Sequence, residues 1–327
     1  MNILLASLLS PITLSFVAGI FAALIGFAIK VPKRALQLFT NLLLVAIGID
    51  GGRGLAASDL SGLGAGLAVT FSLILLLPAL SYVIARYLTC FSVPDSAALA
   101  TLYGSVSSAV LMAAYAESGD MNLEVDGLVM GMAALMELGI LVALSIGTLA
   151  LSRETGAVSS KGSRIGDIVR GGFPLLLFGL LIGWLVGDRH FGRIENIVDL
   201  ILTGTLMLFM VEMGMVTAGE LRNLRATAAR AVSFALLMPA VGGFLGTLLA
   251  TLAGLSSGSA FVMGAVAASA SFINAPSVVR VSFPTANPSI YLTCALGVTF
   301  PVLLLVGLPL LAQLALLWGR LFEPSGG

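Results

Sequence analysis

Long apolar runs separated by short polar ones fill the chain from Pro11 to Leu317. A helix needs about 20 mostly apolar residues to cross the hydrocarbon core of a bilayer. Ten segments meet that requirement, near 11–29, 35–50, 61–87, 95–116, 125–150, 171–187, 196–218, 229–253, 257–282 and 288–318. The pattern predicts an all-α, polytopic membrane protein with ten transmembrane helices. The one sizeable polar interruption is 152–170, Ser-Arg-Glu-Thr through Ile-Val-Arg. It divides the chain into a first five-helix repeat (1–151), a linker (152–170) and a second five-helix repeat (171–327). No stretch has the composition of a soluble domain. The first apolar run has no Lys or Arg before Lys30. A secretory signal carries its positive charge in front, so this run is read as a retained span.

The halves resemble each other. Ile74 to Leu80, ending Leu-Pro-Ala-Leu, recurs as Ala235 to Val241, ending Met-Pro-Ala-Val, which pairs Pro78 with Pro239. Asp95-Ser96-Ala97 pairs with Gly258-Ser259-Ala260, the serine-rich 104–108 with 267–271, and Gly48 with Gly214. Five spans per half is an odd number, so the repeats are expected to lie in the membrane with opposite orientation, a recurring plan of secondary transporters.

Charge tests that topology. On the ten-span scheme one face receives Lys30, Lys33, Arg34, Arg86, Arg153, Lys161, Arg164, Arg170, Arg222, Arg225, Arg230 and Arg280. The other receives Arg53, Arg189, Arg193 and Arg320. Cytoplasmic loops are richer in Lys and Arg, so the first face is cytoplasmic and both termini lie outside. Overall composition fits a lipid-covered surface: 58% of residues are hydrophobic, 10% charged, and mean hydropathy is +1.09. Net charge is zero, which gives no sign of a nucleic-acid partner. Cys90 and Cys294 lie in or beside apolar segments and are read as two buried thiols rather than a disulfide. His190 sits in a polar loop with no second histidine, so neither a metal site nor a Ser/His/Asp catalytic set can be assembled on it. No phosphate-binding GxxxxGK[ST] motif is present. The chain is therefore read as a non-enzyme with no cofactor beyond a coupling ion.

Spans four and nine carry the candidate chemistry. Gly104-Ser105-Val106-Ser107-Ser108 interrupts span four, and Ser269, Ser271, Asn274 and Pro276 interrupt span nine. Pro276 lacks a backbone N–H and favours the first turn of a helix, which predicts a new half-helix there. A helix break at membrane depth survives only when buried in protein or lining a water-filled site. Its freed N–H groups attract anions, while its carbonyls and the Ser and Asn oxygens suit Na⁺. Two breaks at matching places are expected to cross and form one site. Packing is the alternative for any single serine, because Ser and Gly also pack membrane helices. Two carboxylates fall within spans. Glu137 is a candidate Na⁺ ligand or proton-coupled group, with a hydrogen-bonded packing role as the alternative. Glu212, placed nearer the cytoplasmic end of span seven, is expected to snorkel or to pair with an arginine. Met207, Met210, Met213 and Met215 along the same span are read as packing.

At these positions the chain resembles the sodium-dependent bicarbonate transporter family. The resemblance rests on Pro11 to Phe16, Ile47 to Gly52, Gly104-Ser105-Val106-Ser107, Met136-Glu137-Leu138 and the run Ala267 to Ser289. It implies a core domain and a gate domain, each assembled from both repeats, a homotrimer, and sodium-driven bicarbonate uptake. It implicates Gly104, Ser105, Ser107, Ser108, Ser269, Ser271 and Asn274 in substrate binding. Ser107, Glu137, Ser269 and Asn274 are the residues read as holding the coupling ion. Phe272 stands where the resemblance leads us to expect an aspartate after a serine, and Glu137 where it leads us to expect an aspartate. The leading reading is Na⁺-dependent uptake of bicarbonate by an elevator-like alternating-access motion. A Na⁺- or H⁺-coupled carrier of another small or organic anion is the alternative. From a different class, a non-coupled scaffold or channel also fits.

Overall fold

A computed structural model describes residues 10–27, 63–155, 173–186, 195–223, 229–272 and 275–322, with a few positions between 38 and 56. Among these residues there are helices and no strands. Asp50, His190, Asn274 and most of the 152–170 linker lie outside them.

In chain order the helices are α1 (Pro11–Leu24), α2 (Leu63–Val83), α3 (Val93–Tyr103), α4 (Ser108–Asp120), α5 (Leu128–Met136), α6 (Gly139–Thr155), α7 (Phe173–Val186), α8 (Glu195–Asn223), α9 (Ala229–Leu252), α10 (Ser257–Ala267), α11 (Ala275–Ser282), α12 (Pro288–Leu292) and α13 (Leu308–Phe322). Five helical stretches are long and apolar enough to cross a membrane: Leu63–Leu88, Val93–Asp120, Leu128–Glu154, Ala229–Leu252 and Pro288–Phe322. Each coincides with a predicted span. Shorter apolar helices occupy Pro11–Leu24, Leu177–Val186, Thr203–Gly219 and Ser257–Ala267. The last stretch bridges α12 and α13 through π-helical turns at Thr293–Thr299 and Leu303–Gly307. Pro301 and Pro309 cannot donate to the carbonyls four residues back, and wider turns ahead of each proline accommodate that loss.

Glycines set the closest helix contacts. A Cβ on Gly19 of α1 would lie 1.9 Å from the Val211 carbonyl oxygen of α8, and one on Gly214 would lie 2.1 Å from that of Phe16. The second half has a counterpart. A Cβ on Gly183 of α7 would lie 2.0 Å from the Ile49 oxygen, and one on Gly52 would lie 2.0 Å from that of Leu180. Apolar residues are no more attracted to each other than to lipid tails, so such close backbone approach is what holds membrane helices together.

Two serine-capped helices, α3 and α10, have the same length. Ser92 Oγ accepts from Asp95 N, and Ser256 Oγ accepts from Ser259 N. The caps stand 164 positions apart, one more than the offset between Asp95 and Gly258, so the structural partner of Asp95 is Ser259. Each helix start is tied to a distant loop. Asp126 Oδ2 accepts from Ser256 N (3.0 Å) and Ser259 Oγ (2.7 Å), while Asp126 N donates back to Ser259 Oγ. At the other end Asp95 Oδ1 accepts from Asn287 N at 2.7 Å. Both clasps thus place one carboxylate at a helix N-terminus, where the helix dipole favours negative charge, but the carboxylate comes from the loop in one and from the helix in the other. Asp126→Ala is expected to lower stability by about 2 kcal/mol, since a hydrogen bond to a charged group contributes about 1.5–3 kcal/mol. Thermal unfolding in detergent checks this, with Asp126→Asn retaining most of the loss.

Two arginines meet at one loop. Arg86 donates to the Phe91 carbonyl and Arg230 to the Cys90 carbonyl, so residues far apart in the chain grip one loop. Cys90 itself corrects the sequence expectation. It is exposed at positive φ (54°), and only Cys294 is buried. The loop turns sharply there, between the π turn Ile84–Leu88 and the start of α3, which pushes the thiol outward.

Candidate functional site

The helix α3 stops at Tyr103, and α4 starts at Ser108 with Ser107 Oγ accepting from Val110 N. Likewise α10 stops at Ala267, and α11 starts at Ala275. The two non-helical stretches meet. Ser271 N donates to the Leu102 carbonyl at 2.8 Å. The position equivalent to Ser271 by the shared offset is Ser107, and that of Leu102 is Val266. Ser107 N reaches Val266 through a serine hydroxyl: it donates to Ser269 Oγ (3.0 Å), which donates to the Val266 carbonyl (2.7 Å). One tie is direct and its counterpart is relayed. Ser105, Ser107, Ser269 and Ser271 are all buried, and Ser108 half-buried.

These bonds separate the serines by what each has left to offer. Ser269 spends its one O–H proton on Val266 and so bridges the crossing. Ser105 Oγ donates to Glu137 Oε2 at 3.0 Å. Ser107 Oγ accepts at the cap and keeps its O–H, since a hydroxyl has one donor and two acceptor sites. The hydroxyls of Ser108 and Ser271 have no partner among the described residues. The first N–H groups of α4 are also unsatisfied by their own helix. The arrangement therefore offers short donors from Ser107, Ser108, Ser271 and a helix start to a small oxyanion.

Glu137 stands at a tightened turn between α5 and α6. Glu137 N, Leu138 N, Ile140 N and Leu141 N each donate to the carbonyl three residues back. That turn presses Gly139 onto the break in the preceding span, where a Cβ on Gly139 would lie 1.8 Å from the Gly104 oxygen and 3.7 Å from the Ile74 oxygen. Pro78 cannot donate to that Ile74 carbonyl, and its ring in turn lies against Gly104, whose Cβ would meet it at 2.7 Å. Glu137 thus meets Ser105 beside the break, while its neighbour Gly139 lies against the Gly104 carbonyl, with that of Ile74 close by. A carboxylate oxygen suits a hard cation.

The opposite side is built differently. Pro239 cannot donate to the Ala235 carbonyl, and Thr299 Oγ1 does so instead at 2.7 Å. The Tyr103 hydroxyl lies 2.5 Å from Thr299 Oγ1. Beside this relay Phe272 packs edge-on against Phe300 (5.1 Å between centroids), and Phe300 against Phe16 (5.2 Å). In the second half a threonine hydroxyl satisfies the carbonyl that the proline leaves, whereas in the first half that carbonyl faces Gly139. Tyr103 and Thr299 were not among the candidates drawn from sequence. Their signal was Pro239, whose orphaned carbonyl requires a donor from another helix.

Glu212 departs from the sequence expectation of snorkelling or pairing. It lies three residues from Phe209, the midpoint of the 29-residue α8, about 4.5 Å along the axis. Only 6% of it is exposed. No hydrogen-bond or ion-pair partner for it is present among the described residues. Met210 and Met213 beside it are buried, in keeping with packing.

The sequence model of the Na⁺-dependent bicarbonate transporter superfamily matches residues 11–316 of the 327. The chain belongs to that superfamily. The match runs from the first residue of α1 nearly to the end of α13, so it takes in both interrupted stretches and both clasps. A search of curated proteins finds no match. Membership in a transporter superfamily, together with the long apolar helices, makes the chain a multi-pass membrane protein of transport function.

Proposed function

We propose that this superfamily member is a secondary active transporter of a small anion, with Na⁺-dependent bicarbonate uptake as its activity. The observation that carries the reading is the crossing itself, where Ser271 N–Leu102 O and Ser107 N–Ser269 Oγ join the two interrupted spans and leave serine hydroxyls and a helix start free beside them. Substrate is assigned to Gly104, Ser105, Ser107, Ser108, Ser269, Ser271 and Asn274, and the coupling ion to Ser107, Glu137, Ser269 and Asn274. Within those sets the hydrogen bonds favour Ser107, Ser108 and Ser271 as anion donors and Glu137, held by Ser105, as the cation ligand.

Ten spans in two inverted repeats supply the frame. Equal capping of α3 and α10, matched mid-helix prolines in α2 and α9, and the α1–α8 and α7–Gly52 glycine contacts support it. The crossed spans then belong to a core that slides against a gate built around α1 and α8, in a trimer of the bacterial inner membrane with both termini outside. The clustering of Arg86 and Arg230 at one loop supports the assigned cytoplasmic face.

Uptake of labelled bicarbonate into proteoliposomes, with and without an inward Na⁺ gradient, tests the proposal. Ser271→Ala is expected to weaken uptake about tenfold, the effect of a lost hydrogen bond to a charged group, with expression and unfolding temperature unchanged. Absence of bicarbonate uptake under any gradient overturns the substrate. Uptake indifferent to Na⁺ overturns the coupling, and passive flux without accumulation favours a channel. The aromatic wall of Phe272 and Phe300 beside Ser271 favours one second reading, a small organic carboxylate whose apolar end rests on those rings. Competition by acetate at concentrations where nitrate has no effect would select it.

A further inference from the structure

We propose that Glu212 is a proton-binding site of the transport cycle, separate from the anion crossing. The inference rests on the reading of the chain as a transporter and adds a second ion to it. Glu212 is buried near the middle of α8 with no partner among the described residues. Two elements pack most closely on α8 besides its own neighbours in sequence: α1 and the π turn Thr293–Thr299. The first carries no titratable residue. The second carries only Cys294, whose Sγ donates to the Ala231 carbonyl. On α8 the remaining charged residues are Glu195, Asp199, Glu220 and Arg222, all at least eight positions away along the helix.

Among the described residues an ionised carboxylate here has no counter-charge and no hydrogen bond. Its desolvation costs several kcal/mol, and intramembrane ionisable groups of this kind mark ion pathways. Na⁺ requires several oxygen ligands, and among the described residues none meets Glu212. A proton requires only the carboxylate. On this proposal Glu212 holds a proton while it stays buried.

The surroundings connect this site to the crossing. Gly214, two residues on, lies against the Phe16 carbonyl of α1. The Phe16 ring packs on Phe300, and Phe300 packs on Phe272, the neighbour of Ser271. A shift of the crossed spans against α1 and α8 must disturb this aromatic chain. Water admitted along α8 by that shift would let the carboxyl ionise, so proton release would accompany anion movement. Binding and release are the simple equilibrium of one carboxylate with one proton, and no further reactant is needed.

Infrared spectroscopy of the purified protein tests the site without reference to transport. The wild type is expected to show the C=O stretch of a protonated carboxyl, downshifted in D₂O, that Glu212→Gln removes. Glu212→Asp should move the band rather than delete it, which keeps the test open if the glutamine variant fails to fold. A wild-type band that survives unchanged in both variants overturns the proposal. The coupling is read by exchange of labelled against unlabelled bicarbonate at equal concentrations across a pH series. Wild-type exchange is expected to change about tenfold per pH unit beyond the proton's titration, and Glu212→Gln to flatten that dependence. An unaltered pH profile in Glu212→Gln also overturns it. Wild-type protein that exchanges no bicarbonate while still losing the infrared band on mutation would count against the proposed substrate, not against the proton site.

Discussion

Glu137→Gln is expected to remove Na⁺ dependence from uptake and to lower the driven rate about ten- to a hundredfold, while the protein folds and unfolds as before. The glutamine keeps the size of the side chain and an oxygen able to accept from Ser105 Oγ, which now donates to Glu137 Oε2 at 3.0 Å. What it removes is the negative charge beside the break at Gly104 and Ser105. A hydrogen bond or ligand contact to a charged group contributes about 1.5–3 kcal/mol, and about 1.4 kcal/mol is a factor of ten in binding, which sets the range. Proteoliposome uptake at stepped Na⁺ concentrations measures it. A variant with wild-type Na⁺ response would mean that Glu137 is a packing carboxyl and that the coupling ion binds elsewhere.

Gly139→Ala is expected to be the most damaging single-methyl substitution. The added Cβ would sit 1.8 Å from the Gly104 oxygen and 3.0 Å from its carbonyl carbon. Those are backbone atoms at the break in the crossed span, and they cannot swing aside as a side chain would. Overpacking a well-packed site costs about 1–3 kcal/mol, and an overlap with fixed backbone lies at or beyond the top of that range. Loss of a monodisperse peak in detergent, or a strongly lowered unfolding temperature, measures it. Gly119→Ala is the control, because a Cβ there meets nothing within 4 Å. Equal stability of the two variants would show that the contact between Gly104 and Gly139 is not tight.

Much of this geometry follows from residues whose meaning is local. Pro78 and Pro239 announce two orphaned carbonyls from sequence alone, because a missing N–H is a property of the residue. Their fates are not local. Thr299 closes the carbonyl of Ala235, while that of Ile74 faces Gly139, and no pattern within α2 or α9 distinguishes them. The serine clusters at 104–108 and 267–271 were legible as breaks, since Gly and Ser runs are poor continuous helix in lipid. Their hydroxyls look alike in sequence, yet Ser269 bridges, Ser105 meets Glu137, and that of Ser271 has no partner among the described residues. Asp126 carries no local signal, because its partners at the start of α10 lie 130 and 133 positions away. Glu212 was set too near the end because the helix runs on past the apolar span 196–218 to Asn223, which moves its midpoint from 207 to 209.

The apolar runs, the basic asymmetry and the paired motifs are intrinsic to the chain, because lipid tolerates few charges and no unpaired backbone wherever it touches protein. Those constraints act residue by residue, so the sequence determines that this is a helical membrane protein and where its helices are weak. Which hydroxyl or carbonyl is left free depends on donors from other helices, arriving across the bundle at distances of about 3 Å. That choice is made only when the helices pack, and it is why the Ser105–Glu137 contact, the aromatic side and the burial of Glu212 came from the tertiary structure.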